Sequence, residues 1–405
     1  MKNIIYILLF TFTCFSMSIA ENPYMKKFVI GAYCSPPEAE LTQGRIDEIA
    51  AAKINMIIAR SYTNEPSDSL KLLNLSAKAG IKAVILDTRW GEALKTTNDQ
   101  IIARTVKEIT TDYSKKPALF AYGVYDEPDT SLFPALAKYS RMYISADAHH
   151  PPLINILPSY GSPTQLGAPD FRSYVREYIN IVKPIVLSYD YYPFRVGATM
   201  FDGWHSDLRI VREESREAKI PFWIFIQSEG IKGGLKVPTR GEVFWQANTA
   251  LAYGARGILW FCYWTPPYKP EIKFPEKHYS AMIDINGKKT PVYNFVKEEN
   301  EFLEKAGNAL ICKDNKFVAR YKNGKLIYGE TPFFKPKGKN LNLVIGTFVD
   351  GKSVRVVFSN DSFDKKTFFS LPKEKFKIVE SFHTKNKKNN FEMQPGGCVI
   401  MEISN

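Results

Sequence analysis

A chain of 405 residues exceeds one average domain, so a large unit followed by a smaller module is the first expectation. Hydrophobic residues at 45% and charged residues at 24% fit a globular protein with a sizeable core, and aromatics are plentiful at 14%. The formal charge of +12 is uneven: residues 306–405 hold 18 Lys and Arg against 9 Asp and Glu, which leaves little excess elsewhere. An export-type N-terminus and the lack of any recognised nucleic-acid module argue against nucleic-acid binding.

The first element reads as a targeting segment. Lys2 supplies the positive start, residues 4–17 form an apolar run, and Ser18-Ile19-Ala20 makes a small-x-small cleavage site before Glu21. The run is short for a bilayer span, and no later stretch exceeds it, so no membrane span is expected. The expected location is the periplasm or the outside of the cell. Cys14 raises a lipid-anchored alternative, but Thr11-Phe12-Thr13 before it is a poor lipobox.

From residue 28 to about 300 short apolar runs alternate with polar-apolar helical stretches. The predicted strands are 28–33, 54–60, 82–87, 119–125, 153–157, 184–190, 221–227 and 256–263. Amphipathic segments at 42–53, 67–79, 98–114, 131–147, 170–182, 205–218 and 241–253 separate them. Strands that alternate with helices pair in parallel, and near-continuous apolar strands are buried on both faces. Eight such units predict an α/β fold, a closed (β/α)8 TIM barrel over residues 21–305. No Gly-x-Gly-x-x-Gly follows the first strand, which weakens a dinucleotide fold.

Beyond residue 305 the texture changes to short runs at 325–329, 341–348, 353–359, 366–370, 376–382 and 397–403, parted by Gly, Asn-Asp and Lys-rich turns. This pattern predicts an antiparallel β-sandwich over residues 306–405. Its basic excess suits contact with an anionic polysaccharide or envelope surface, or else a lysine-rich solvated face. Cys34, Cys262, Cys312 and Cys398 show no CxxC spacing, and histidines are few and unclustered, so neither a metal nor a cofactor is expected. Cys262 reads as a buried thiol, and a Cys312–Cys398 disulfide fits within the second module.

In such a barrel the chemistry belongs at the C-terminal ends of the strands. Strand one ends in Tyr33-Cys34-Ser35, strand two in Arg60-Ser61-Tyr62, and strand three in Asp87-Thr88-Arg89-Trp90. Strand four runs into Asp126-Glu127-Pro128, and strand five ends near Asn155 with Tyr160 beyond. Strand six closes with Asp190-Tyr191-Tyr192, strand seven with Gln227-Ser228-Glu229, and strand eight with Tyr263-Trp264-Thr265. The ring is rich in carboxylates and aromatics. Paired carboxylates perform glycoside hydrolysis, and Trp90, Tyr192 and Trp264 are candidates for stacking on sugars, or for simply closing the barrel.

Leu119 to Pro128, ending Tyr-Asp-Glu-Pro, resembles the strand-four signature of the clan-A glycoside hydrolases. Ser188-Tyr-Asp-Tyr-Tyr192 resembles the clan's strand-six motif, with Asp190 where histidine is usual. The pattern is also similar to that of uncharacterised sugar hydrolases of gut-type bacteria. The resemblance implies hydrolysis of an oligo- or polysaccharide with Glu127 as acid/base. It places Arg60 beside the nucleophile, Trp264 at the sugar-lining position of strand eight, and a glycan as partner. Asn64-Glu65-Pro66 repeats the motif but follows strand two, where the clan has no catalytic acid.

The second carboxylate is less regular. Counting from Pro221, the clan's nucleophile position falls on Ile226 or Gln227, and Glu229 comes two or three residues late. Glu229 is therefore either a nucleophile brought in by a bulge, giving retention, or a loop glutamate. In the latter case Asp190 or Asp126 serves as base with inversion, or the barrel binds glycans without cleaving them. Trp204 and His205 are further subsite candidates, and Arg89 is a candidate contact for a carboxylate.

Overall fold

The computed structural model describes residues 26–60, 65–197, 203–267, 277–351, 353–372 and 376–403. The expected export segment and residues 61–64 of the strand-two loop lie outside these. Among the described residues no helix is long and apolar enough to cross a membrane.

Eight parallel strands close into a barrel: β1 (Val29–Ala32), β2 (Met56–Ile58), β3 (Lys82–Leu86), β4 (Leu119–Asp126), β5 (Pro152–Ile156), β6 (Leu187–Asp190), β7 (Phe222–Gln227) and β8 (Gly257–Phe261). Closure comes from β8 pairing with β1 in the register Val29↔Gly257 to Ala32↔Trp260. Six strands fall within the apolar runs expected from the sequence and β4 and β5 exceed theirs by one residue, Asp126 and Pro152; the runs are legible because both faces are covered and few polar residues interrupt them. The intervening helices are α1 (Gln43–Ala51), α2 (Pro66–Lys78), α3 (Arg89–Leu94), α4 (Asp99–Tyr113), α5 (Phe133–Ala146), the short α6 (Pro163–Leu166), α7 (Phe171–Val182), α8 (Trp204–Glu217), α9 (Arg240–Tyr253) and α10 (Pro291–Leu310). Their starts carry the expected chemistry. Asn98 and Asp170 accept hydrogen bonds from the first turns of α4 and α7, and Thr239 with Glu242 forms a reciprocal capping box on α9.

The second unit is a seven-stranded antiparallel sheet: β9 (Asp314–Lys322), β10 (Lys325–Gly329), β11 (Leu343–Asp350), β12 (Ser353–Asn360), β13 (Thr367–Ser370), β14 (Phe376–Lys387) and β15 (Asn390–Ile403). The first half of β15 pairs with β13 and its second half with β12, while β14 follows it along both halves. The sheet so wraps, sandwich-like, around a core of its own that includes Phe358, Phe369, Phe391 and Met401. The strand at 314–322 was not legible, since its side chains alternate poorly. Cys312 and Cys398 are free thiols, the first exposed and the second buried, so the expected disulfide is not formed.

The helix predicted at 241–253 is not amphipathic in place. From Glu242 to Tyr253 every residue of α9 is buried, because the barrel covers one side and β11, β12 and β15 cover the other. Polar welds cross the same junction. Arg212 donates to Asn315 Oδ1 and to the carbonyls of Asn315 and Lys316, and Asn248 Nδ2 donates to the Gly396 carbonyl at 2.9 Å. Trp204 and His205 belong here rather than to a subsite. Trp204 Nε1 donates to Thr249 Oγ1, and His205 Nε2 lies 2.9 Å from the buried Asp361 carboxylate.

Candidate active site

Strand register assembles the site before any loop contributes. Around the barrel wall, Asp126 of β4 pairs with Asn155 of the adjacent β5, and Asn155 pairs with Ser188 of β6. Side chains alternate along a strand, so Asp190, two residues past Ser188, points to the same face. An irregularity between Gly123 and Tyr125 shifts the β4 register just before the Asp-Glu pair. Glu127 then adopts a left-handed backbone with φ of 52°, its N–H donating to the Asn155 carbonyl at 2.8 Å. For a residue with a side chain that conformation costs roughly 1–2 kcal/mol, and such outliers gather at functional sites.

The result is a cavity of about 390 Å³ at the C-terminal mouth of the barrel, into which Asp126, Glu127 and Asp190 all project. Gly123 lets Leu86 pack into its floor, since a β-carbon there would lie 2.2 Å from Leu86 Cδ2. Tyr33, Phe261 and Tyr192 form one wall, with Phe261 stacked on Tyr192 at 4.9 Å and on Tyr33 at 5.9 Å between ring centres. Tyr160 and Arg195 add a second polar edge, the guanidinium carbon 5.0 Å over the tyrosine ring. Ile231 and Leu235 close the strand-seven side.

Asn155 organises the carboxylates. Ser188 Oγ donates to its Oδ1 at 3.0 Å, which orients the amide so that Nδ2 donates to Asp190 Oδ1 at 2.7 Å and to Asp126 Oδ1 at 3.4 Å. Tyr160 Oη donates to the other Asp190 oxygen at 3.3 Å. Burial, then the negative charges of Glu127 and Asp126, hold the Asp190 carboxyl well above the usual carboxylate range despite these donors. Burial also raises Asp126, and the Asn155 amide partly offsets it. The cavity therefore disfavours ionisation of all its acids at once, which favours an acid beside a carboxylate, the distribution that acid/base chemistry requires.

Of the residues selected from sequence, Asp126, Glu127, Asp190 and Tyr192 come together in this cavity. Trp90 stands one layer behind, edge-on to the wall residue Tyr125 at 5.3 Å. Arg60 is half-buried at the end of β2, its backbone engaged by Tyr33 Oη and Ser35 Oγ. Gln227, Glu229 and Trp264 are not on the wall. Gln227 is wholly buried, with its amide bonded to the backbones of Phe194 and Lys236 and its N–H to Gln246. Trp264 is buried beneath the Arg45 guanidinium at 5.2 Å, and Phe261 is the strand-eight aromatic that faces the cavity. Glu229 is fully buried against His278 and Cys262.

Other candidates are spent elsewhere. Arg89 is forked between Asp87 at 2.6 Å and Asp112 at 2.8 Å, so it serves protein carboxylates. Glu65 is exposed at the N-terminus of α2 and does not line the cavity. Phe261, Tyr160 and Arg195 were missed as site residues, and Asn155 was noticed only as a strand end. Strand alternation would have found Phe261, because Trp260 faces outward to Asn300 of α10 and its neighbour must face in.

The fold is that of the (β/α)8-barrel glycoside hydrolases with an added antiparallel sheet. The chain aligns with a family 5 glycoside hydrolase from Bacteroides vulgatus at a TM-score of 0.56 and 10% identity, covering 93% of this chain and 89% of that one. A family 39 glycoside hydrolase from the gut symbiont Bacteroides cellulosilyticus aligns at 0.51 and 11% identity, covering 94% and 82%. A family 5 enzyme from Bifidobacterium longum, solved with Manβ1-4GlcNAc, aligns at 0.51 and 12% identity over 68% of this chain and 78% of that one. No family model and no curated protein matches the chain in sequence.

Proposed function

We propose that the chain is an exported glycoside hydrolase in which Glu127 and Asp190 are the working carboxylates. One observation carries the reading: three acids, two of them raised above the usual range, converge with an aromatic wall in a single cavity at the catalytic end of the barrel. The likeness in fold to glycoside hydrolases supports it.

Glu127 is the more solvent-open of the pair and sits where a departing group can leave. It protonates the glycosidic oxygen. In the state where Glu127 carries the proton, Asp190 is ionised and, held by Asn155 and Tyr160, presents negative charge to the sugar as the bond breaks and positive charge develops on the ring. The stack of Tyr33, Phe261 and Tyr192 offers an apolar surface to the pyranose. Direct attack by Asp190 gives retention, whereas activation of water gives inversion, and proton NMR of the first-formed anomer separates the two. Glu229, the nucleophile expected from sequence, is replaced in this reading by Asp190.

A panel of nitrophenyl glycosides and plant or host glycans tests the activity. Release of nitrophenol or reducing sugar is expected, and binding without release across the panel would favour the glycan-binding barrel instead. Export is part of the proposal, and N-terminal sequencing of the mature protein should begin at Glu21. The exposed Lys385, Lys387 and Lys388 of the β14–β15 hairpin support contact with an anionic polysaccharide. That contact should appear as salt-sensitive co-sedimentation.

A further inference from the structure

We infer that Glu229 is a positioning residue, one half of an internal clamp with His278 that sets the strand-seven wall of the cavity. The inference rests on the assignment of Glu127 and Asp190 as the working pair. Glu229 has no exposed surface, and both of its carboxylate oxygens are engaged. Oε1 lies 2.5 Å from His278 Nδ1, and Oε2 accepts from Cys262 Sγ at 3.0 Å. A carboxylate so enclosed has no path to an anomeric carbon.

The clamp joins two stretches that otherwise meet in a short antiparallel pairing, His278↔Ile231 and Tyr279↔Gly230. Gly230 allows the close approach, since a β-carbon there would fall 2.5 Å from the Tyr279 ring. Directly after the clamp the chain turns, with the Ile231 N–H donating to the Leu235 carbonyl at 2.9 Å. Ile231 and Leu235 are the residues that line the cavity on this side. His278 also packs edge-on to Phe261, 6.2 Å between ring centres, and so supports the aromatic wall from behind. His278, which Glu229 holds, therefore meets the cavity wall twice, pairing with Ile231 and packing on Phe261, while Glu229 itself does not line the cavity.

The experiment compares Glu229→Gln, Glu229→Ala, His278→Gln and the Glu229/His278 double variant with Glu127→Gln. Steady-state kinetics use the nitrophenyl glycoside that the wild type cleaves fastest. In Glu229→Gln and His278→Gln, KM should rise about three- to thirtyfold with kcat within about threefold of wild type. Azide added to Glu229→Ala should restore nothing. Thermal unfolding gives an arm independent of activity: each single variant lowers Tm, and the double variant lowers it no further than the larger single effect. A loss of kcat of about a thousandfold or more in Glu229→Ala, recovered by azide, makes Glu229 a nucleophile and overturns the inference. Additive Tm effects, or unchanged KM with unchanged Tm, overturn it equally. Wild-type turnover in Glu127→Gln instead overturns the cavity assignment, and the coupling in Tm still decides the clamp.

Discussion

Replacing Asp207 by Asn should make the protein more stable at pH 8 and leave it nearly unchanged at pH 4. Asp207 lies on α8 with no exposed surface, and its Oδ2 accepts the Ser159 N–H at 2.9 Å, next to the cavity residue Tyr160. Burial outweighs this bond and the weaker one from Ser206, raising the carboxyl from 3.8 to about 7. The folded state thus keeps a proton that the unfolded chain has already released. Stability falls as pH climbs from about 4 to about 7 and is level beyond, a total loss of about 4 kcal/mol from this group. Asparagine keeps a carbonyl oxygen for Ser159 but has no proton to lose. Denaturant unfolding of both proteins between pH 4 and pH 8.5 gives a difference curve in which other titrating groups cancel. The curve should rise through pH 4–7 to about 4 kcal/mol in favour of the variant. A flat difference curve, or one that rises toward acid, would refute the burial argument.

Three further outcomes follow from the same geometry. Asn155→Leu removes the amide that orients Asp190; a hydrogen bond to a charged group contributes about 1.5–3 kcal/mol, so kcat/KM should fall roughly ten- to a hundredfold. Its pH–rate profile should also move toward higher pH, because the Asn155 donor is one of the two influences that lower Asp190. Phe261→Ala deletes the ring stacked between Tyr33 and Tyr192, and KM for an aryl glycoside should rise roughly three- to tenfold, in keeping with aromatic contacts of about 0.5–1.5 kcal/mol. Asp361→Ala strips the buried junction of the carboxylate that meets Arg320 Nε at 2.7 Å and Trp245 Nε1 at 3.1 Å. Calorimetry should register a loss of about 3–5 kcal/mol, while kcat is preserved.

The barrel was legible because its signal is long and redundant. Eight apolar runs between helical segments leave few other topologies, and Glu127 and Asp190 are polar residues that end such runs. What escaped was contact between strands. That Ser188 turns the Asn155 amide toward Asp190 depends on register across three strands, and no single segment carries it. Trp264 was selected by its place in a family motif, but it lies three residues past the wall-facing Phe261, where it packs under Arg45. Glu229 could not be placed by counting, since its burial is set by His278, distant in sequence. The burial of 241–253 on every side was not readable either, since Glu242, Gln246 and Asn248 give the segment polar positions that are buried once the second unit covers the helix.

The pairing of Glu127 with Asp190 is tested most directly by the turnover of Glu127→Gln and Asp190→Asn on the best nitrophenyl glycoside, with circular dichroism confirming the fold. Each variant should lose about a thousandfold or more in kcat, and the double variant little beyond the worse single one. Wild-type turnover in either folded single variant would contradict the assignment.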